Sequence, residues 1–240
     1  MKRALLDRLI EDRARKRAVV LVTELGRGDQ ALVYPNDVFG DLALAPDALK
    51  QIRQVLENDE SATIEVGGKH LFLHVQNPPP RLILVGAVHI SQALAPMAAL
   101  AGYAVTIVDP RRAFATDARF PDVNLIAEWP DEAMATMKLD RRTAVVTLTH
   151  DPKLDDPALQ TALKSDVFYI GALGSRKTHA ARLARLKDAG FGDAECARIH
   201  GPVGLSIGAE SPAEIAVSIL AQVTAVLRGA AQPQAQARVA

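Results

Sequence analysis

Four short stretches hold most of the side chains that could do chemistry, and each follows an apolar run. Gly86-Ala87-Val88-His89-Ile90-Ser91 comes after LILV and opens a helical pattern, while Asp109 closes the next apolar run. In a strand–turn–helix unit, such a turn aims a helix N-terminus at a phosphate. An acidic residue at the second strand end then accepts ribose hydroxyls. Of the glycines this arrangement normally uses, only Gly86 is present. Val88 puts a branched side chain where phosphate would approach the backbone, and Ser91 is small enough for close helix–strand packing. A ligand-free βα turn and a phosphate-binding turn both fit these residues. His89 sits in the turn itself, where an imidazole can cap, pack or meet a ligand.

The second stretch is Tyr169-Ile170-Gly171-Ala172-Leu173-Gly174-Ser175-Arg176-Lys177-Thr178-His179. An apolar run ends in a Gly-x-x-Gly turn, and Ser175 stands where a helix cap is wanted. Backbone donors at that helix start, with Arg176 and Lys177 beside them, would suit an anion. A capped helix with solvated basic residues is the plainer alternative. The spacing is not that of a Walker A loop, so ATP is not implied. The third stretch, Thr149-His150-Asp151, sets a hydroxyl, an imidazole and a carboxylate at another strand end. Adjacency in sequence is not a nucleophilic triad, whose members the fold must bring together. The fourth runs from His200-Gly201-Pro202-Val203-Gly204 to Ser211-Pro212-Ala213-Glu214, whose last part is a helix capping box with proline at the first helical position.

The elements that would position these residues alternate. After Gln76-Asn77-Pro78-Pro79-Pro80-Arg81, a stiff spacer unable to continue a helix or a central strand, strands are expected at 82–86, 104–109, 124–127, 143–148 and 167–171. Helices are expected at 90–101, 131–138, 156–164, 178–189 and 212–227, and Pro96 should kink the first of them. Strands alternating with helices imply an α/β Rossmann-like parallel sheet with right-handed crossovers. The span from Leu82 to Val108 carries no Asp, Glu, Lys or Arg. Its period changes partway, so a strand, a helix and a strand fit better than a membrane crossing. Before the spacer, residues 1–76 read as a small α+β domain: an amphipathic surface helix with Leu5, Leu6, Leu9 and Ile10 within 1–17, a strand at 18–24, a helix at 46–57, and a hairpin at 63–66 and 70–75 around Gly67-Gly68. The expected division is 1–76, a linker at 77–81, a Rossmann-like domain at 82–228, and a disordered tail at 229–240.

Composition narrows the function. Lys plus Arg and Asp plus Glu both number 28 in 240 residues, which lacks the basic excess of a nucleic-acid binder. Aromatic residues are 4%, too few for a stacking platform, and 49% hydrophobic with 23% charged is ordinary for a globular chain. The one cysteine, Cys196, excludes an internal disulfide and a cysteine-rich zinc site, and reads as a packing residue. No metal site is expected, and without a secretory h-region at the N-terminus a cytoplasmic location is.

GAVHIS with Asp109, THDPKLDD, YIGALGSRKTHAARLARL and IHGPVGLSIGAESPAEIAVSIL together resemble the xanthine dehydrogenase accessory factor family, of the XdhC/CoxI type. The likeness runs from Leu82 to about Arg228, and its GALGSRKTH and IHGPVGLSIGAESPAEIA stretches are the specific ones. It implies an accessory domain followed by a Rossmann-like domain, and a cytoplasmic chaperone, not a catalyst. Such a chaperone would bind molybdenum cofactor (molybdopterin), support its sulfuration and deliver it to a molybdenum hydroxylase apoenzyme, with a cysteine desulfurase as a further partner. On that likeness the candidate cofactor-binding residues are Gly86, His89, Asp109, His150, Gly171, Gly174, Ser175, Arg176 and His200. The family usually carries Gly-x-Gly-His-x-Gly at the first turn, of which Gly86 and His89 match, and many members carry an N-terminal Ser-Gly-Gly-Cys-Val-Glu that this sequence lacks. Those departures argue against NAD(P) and a thiol-dependent step. Two other readings stay open: an NAD(P)-dependent Rossmann oxidoreductase with His89 or His150 as acid and base, and a scaffold that binds only the target apoenzyme. Zero net charge also leaves room for a homodimer.

Overall fold

Consecutive prolines offer no N–H to a ladder and no helical φ/ψ to the residue before each, and the chain divides there. The computed structural model describes residues 2–230 and forms two compact units, one up to Pro78 and one from Pro79 onward. The tail expected to be disordered lies, from residue 231, outside the described residues.

The first unit is a five-stranded antiparallel sheet in the order β3-β2-β1-β5-β4, with β1 Val19–Glu24, β2 Gln30–Val33, β3 Val38–Gly40, β4 Ala62–Val66 and β5 Lys69–Gln76. Gly67 and Gly68 both hold positive φ between β4 and β5, as the mirror-image two-residue turn requires. Helix α2, Pro46–Asn58, buries Ala48, Ile52 and Leu56 against Val20, Val22, Leu71 and Leu73. Helix α1, Arg3–Ala14, sets Leu5 beside Val19, Leu32 and Tyr34. Its Leu6 and Ile10 stay exposed, so the amphipathic face is narrower than the leucine spacing suggested. Strands β2 and β3 are additions to the sequence reading. They are short and are parted by Pro35-Asn36, which hides any alternation.

The second unit is a six-stranded parallel sheet in the order β11-β10-β9-β6-β7-β8. Its strands are β6 Arg81–Val85, β7 Ala104–Val108, β8 Asn124–Ile126, β9 Thr143–Thr147, β10 Tyr169–Ala172 and β11 Ile199–His200. This is the doubly wound Rossmann order. After β8 the chain returns to the other side of β6, so strand order reverses between β6 and β9. All five residues of β9 are buried because helices cover both faces. Helices α3, His89–Leu100, and α8, Pro212–Leu227, pack Leu94, Ala98, Ile219 and Val223 on Leu82, Leu84, Ala144 and Val146. On the opposite face α4 Pro130–Thr136, α5 Pro152–Leu163 and α6 Arg176–Asp188 pack Met134, Leu159, Ala162 and Leu186 on Ile83, Val85, Val145 and Ile170. A short α7, Asp193–Cys196, leads into β11 and buries Cys196. Helix α5 begins four residues before its expected start, because Asp151 caps it by accepting from the Lys153 N–H at 3.0 Å and Pro152 takes the first helical position. Among the described residues no helix is long and apolar enough to cross a membrane.

Leu73 is fully buried where β5 meets α2. Leu73→Ala should cost about 2–5 kcal/mol, lost transfer plus a cavity. Chemical denaturation of the protein followed by circular dichroism checks this. A loss under about 1 kcal/mol would mean that the first unit does not depend on this contact.

Candidate functional site

In a parallel sheet every strand delivers its following loop to the same edge, and a doubly wound sheet opens its crevice there. The turns after β6, β7, β9, β10 and β11 carry the four stretches singled out in the sequence. The geometry divides them into a braced interior and an open cleft.

The turn after β6 is the tightest. Gly86 has φ +115°, and a Cβ there would come 2.5 Å from the Thr149 methyl. Its N–H donates to the Val108 carbonyl at 2.9 Å, and its carbonyl accepts from the buried Ser91 hydroxyl. Ser91 thus fills the helix–strand contact that a glycine would otherwise make. Val88 is the residue before the first turn of α3, and His89 is exposed at that turn.

Asp109, just beyond β7, has no solvent exposure. Its Oδ2 accepts from the Ala87 N–H at 2.8 Å and from Arg111 Nη2 at 2.7 Å. Its Oδ1 accepts from the Arg111 N–H and Nε, both at 2.9 Å. A ribose diol arriving at this strand end meets the Arg111 guanidinium, not an open carboxylate. Arg111 in turn stacks on Phe114, with 4.8 Å to the ring centroid. Arg119 donates to the Ala87 carbonyl at 3.0 Å and to Gln92 at 3.1 Å. The segment after β7 therefore folds back over the first turn. Burial by itself pushes the Asp109 carboxyl up, but the hydrogen bonds from Arg111 and from two backbone N–H groups outweigh it and hold it below the usual carboxylate range.

The turn after β9 brings in a residue absent from the sequence-based set. Thr149 donates its hydroxyl to Asp155 Oδ1 at 2.7 Å, and Asp155 is buried in the first turn of α5. Asp155 Oδ2 lies 3.6 Å from Arg182 Nη2, each side chain about 2% exposed. Arg182, from α6, donates to the Leu173 carbonyl at 2.7 Å. His150 takes φ +62° and points into solvent, so it joins no hydrogen-bonded group with Thr149 and Asp151.

The open part lies after β10 and β11. Gly174, Arg176 and His200 line one cleft of about 860 Å³ together with the segment Gly201–Ala209. That volume is within the range of small-molecule sites. Ser175 caps α6, its Oγ accepting from the Thr178 N–H at 3.1 Å. This leaves the Arg176 and Lys177 N–H groups as the outward donors of the first turn. His200 stacks on Tyr169 with centroids 4.7 Å apart and planes 9° from parallel. Burial holds the imidazole below its ordinary pKa, so at neutral pH it is an uncharged ring with one donor and one acceptor. Tyr169 OH donates to Gln222 Oε1 at 2.6 Å, which also accepts from the Gly204 N–H at 2.7 Å, tying α8 to the cleft floor. Gly171 is buried inside β10, where a Cβ would crowd Val203 and the Tyr169 ring. It is a packing position. Of the nine sequence candidates, then, Gly174, Arg176 and His200 share a cleft. Ser175 caps the helix beside it, Gly86 and Asp109 form the neighbouring brace, and His89 and His150 stand exposed. Among the described residues no cluster of His, Cys, Asp or Glu could hold a metal ion.

A model of the XdhC Rossmann domain matches residues 82–223. A probable xanthine dehydrogenase subunit of Bacillus subtilis (strain 168) is 36% identical over 208 residues, covering 86% of this chain and 60% of that protein. The molybdenum cofactor insertion chaperone PaoD of Escherichia coli (strain K12) is 36% identical over 149 residues, covering 62% of this chain and 41% of that protein. The uncharacterized protein YqeB of the same strain is 33% identical over 164 residues, covering 68% of this chain and 30% of that protein. Among solved structures, a xanthine dehydrogenase from Bacillus halodurans superposes with a TM-score of 0.72 at 26% identity, covering 97% of this chain and 66% of that one. The chain spans between 30% and 60% of the length of these curated relatives.

Two outcomes follow from the brace. Gly86→Ala should destabilise the protein by about 1–3 kcal/mol or more, through positive φ and collision with Thr149. Adding Thr149→Ser, which removes the methyl but keeps the hydroxyl, should recover part of that loss in a thermal melt. No recovery would place the cost elsewhere. For Asp109 the sign is set by its lowered pKa. The ionised group stabilises the fold above its unfolded pKa of about 4, and that contribution disappears as pH falls through the lower native value. Asp109→Asn should therefore melt below wild type at pH 7, with the gap closing as pH drops below about 4. A gap independent of pH would show that shape, not charge, is what Asp109 contributes.

Proposed function

The chain belongs to the XdhC family, and from that premise we propose that it is a molybdenum-cofactor accessory protein, a chaperone and not a catalyst. In this reading the cleft after β10 and β11 holds molybdopterin. Support comes from the relatives, one named as a molybdenum cofactor insertion chaperone and one as a probable xanthine dehydrogenase subunit. The observation that carries the reading is the meeting of Gly174, Arg176 and His200 on a single cleft beside the capped start of α6.

The residues suit the group chemically. A pterin phosphate needs donors and positive charge at one end and an uncharged polar surface along its ring. The first-turn N–H groups and the Arg176 fork supply the former. Neutral His200, packed flat on Tyr169, supplies the latter. When bound, molybdopterin would bring the metal-dithiolene centre that the target enzyme uses, and this chain's residues would only hold and shield it. Sulfuration requires a sulfur donor. Within this sequence the single cysteine is buried in α7, so the sulfur comes, in this proposal, from a cysteine desulfurase. The recipient is a xanthine-dehydrogenase-type apoenzyme.

The test is retention of pterin. Protein purified from cells making the cofactor is oxidised and extracted, and pterin fluorescence is read per mole of protein. Wild type should carry pterin. Arg176→Ala should lose about tenfold in affinity, the lower end for a charge-assisted hydrogen bond because the side chain is exposed to screening solvent. Lys177→Ala, at the same helix start but outside the cleft lining, should lose less. Wild type without pterin would contradict the function. Retention unchanged in Arg176→Ala, with an intact melting temperature, would move the anion site elsewhere.

A further inference from the structure

Two glycine turns that lie on opposite sides of β9 are joined by one line of contacts, steric at its first step and polar after it. It begins at Gly86, whose missing Cβ makes room for the Thr149 methyl. The Thr149 hydroxyl donates to Asp155 Oδ1 at 2.7 Å, and its N–H approaches the same oxygen at 3.4 Å. Asp155 Oδ2 faces Arg182 Nη2 at 3.6 Å. Arg182 Nη2 donates to the Leu173 carbonyl at 2.7 Å and lies 3.8 Å from where a Gly174 Cβ would stand. Four side-chain or backbone steps thus run from the turn after β6, through the turn after β9 and the helices α5 and α6, to the turn after β10.

This line is a poor way to stabilise a fold. Both ions are almost wholly buried, and burial pushes the Asp155 carboxyl up and the Arg182 guanidinium down, each away from its charged form. Arg182 Nε and Nη1 and Asp155 Oδ2 make no hydrogen bond to described residues. Asp156, whose oxygens accept from Arg185 at 2.6 and 3.0 Å, adds its charge in favour of the Arg182 guanidinium, and burial still outweighs the two carboxylates. Buried ion pairs are commonly replaced by apolar residues with no loss of stability, whereas removing one partner alone strands a charge. A pair kept under those terms is explained by what its geometry fixes. Both contacts are made by the one Arg182 Nη2, which donates to the Leu173 carbonyl while it faces the carboxylate, so a single atom ties the backbone before Gly174 to a buried charge on α5.

We propose that Asp155 and Arg182 are positioning residues which lock the Gly86 turn to the Gly174 turn, so that the two turns flanking β9 open and close together. The coupling concerns this chain alone. Its use, holding Leu173 and Gly174 in the shape that admits a pterin phosphate, rests on the function proposed above.

Amide hydrogen exchange of the full chain tests it, read in peptides covering 84–92 and 172–180. The double variant Asp155→Leu/Arg182→Met removes both charges together. It should keep a melting temperature close to wild type, yet exchange should accelerate by about tenfold in both peptides, with no change in 48–56 of the first unit. Arg182→Lys, which keeps the charge on a differently shaped head group, should show a smaller acceleration in the same two peptides. Acceleration in one turn only, or in neither, overturns the proposal. If the double variant does not fold, the view that the pair adds no stability is wrong, and Arg182→Lys decides the coupling by the same comparison. Pterin retention is measured alongside. Wild type that retains pterin and a double variant that does not, at equal melting temperature, ties the lock to the cofactor. Wild type without pterin fails the proposed function, while the exchange data still decide the lock.

Discussion

A carboxylate taken out of water must find donors or a counter-charge, and two such groups decide how the working edge of the parallel sheet is built. Asp109 finds them in Arg111 and in the backbone of the turn after β6, so the loop that follows β7 is drawn back across that turn. Asp155 accepts from Thr149 on one oxygen while the other only faces the Arg182 charge at 3.6 Å, and Arg182 in turn reaches the carbonyl before Gly174. Neither carboxylate is free to bind a ligand directly. Each holds backbone where a ligand would arrive. Both glycines hold positive φ, and a Cβ would press on the Thr149 methyl at Gly86 and on Thr178 of α6 at Gly174.

The division of labour along the edge follows. Between β6 and β7, where a dinucleotide would lie in the usual pose, the space beside the turn is taken by the Asp109–Arg111 pair and by Arg119 on the Ala87 carbonyl. Beyond β10 the surface opens into the cleft that ends at His200 and the segment after it. The ring of His200 owes its place to Tyr169 beneath it, whose hydroxyl is anchored by Gln222 from α8. The last helix, fixed at its start by the Ser211–Glu214 capping box, thereby supports the cleft from the far side.

Much of this was legible in the sequence because it rests on local signals. The alternation of apolar runs and helical patterns after Pro80 pointed to the parallel sheet, and helix α8 has the limits its capping box announced. Gly174, Ser175, Arg176 and His200 stood out because glycine turns and helix caps are written in consecutive residues. What was missed is non-local. Arg182 sits in a helix rich in Arg and Lys and reads as solvated, although it is the largest of the fully buried side chains. Asp155 falls within a run of charged and proline residues, one position before the expected helix start. Arg111 and Arg119 lie in a stretch with no periodicity at all. Gly171 and His150 lie outside the cleft for opposite reasons. A glycine before a ligand-like turn proved to be needed for packing against Val203, and a histidine beside Thr and Asp was turned outward by its own backbone.

The function proposed for this chain turns on the cleft after β10 and β11 holding molybdopterin, with its phosphate at the start of α6. A crystal structure of the protein with molybdopterin bound tests this most directly. The phosphate should lie against the first-turn N–H groups and Arg176, with the pterin ring beside His200. A pterin seated instead at the turn after β6, or on the first unit, would contradict it.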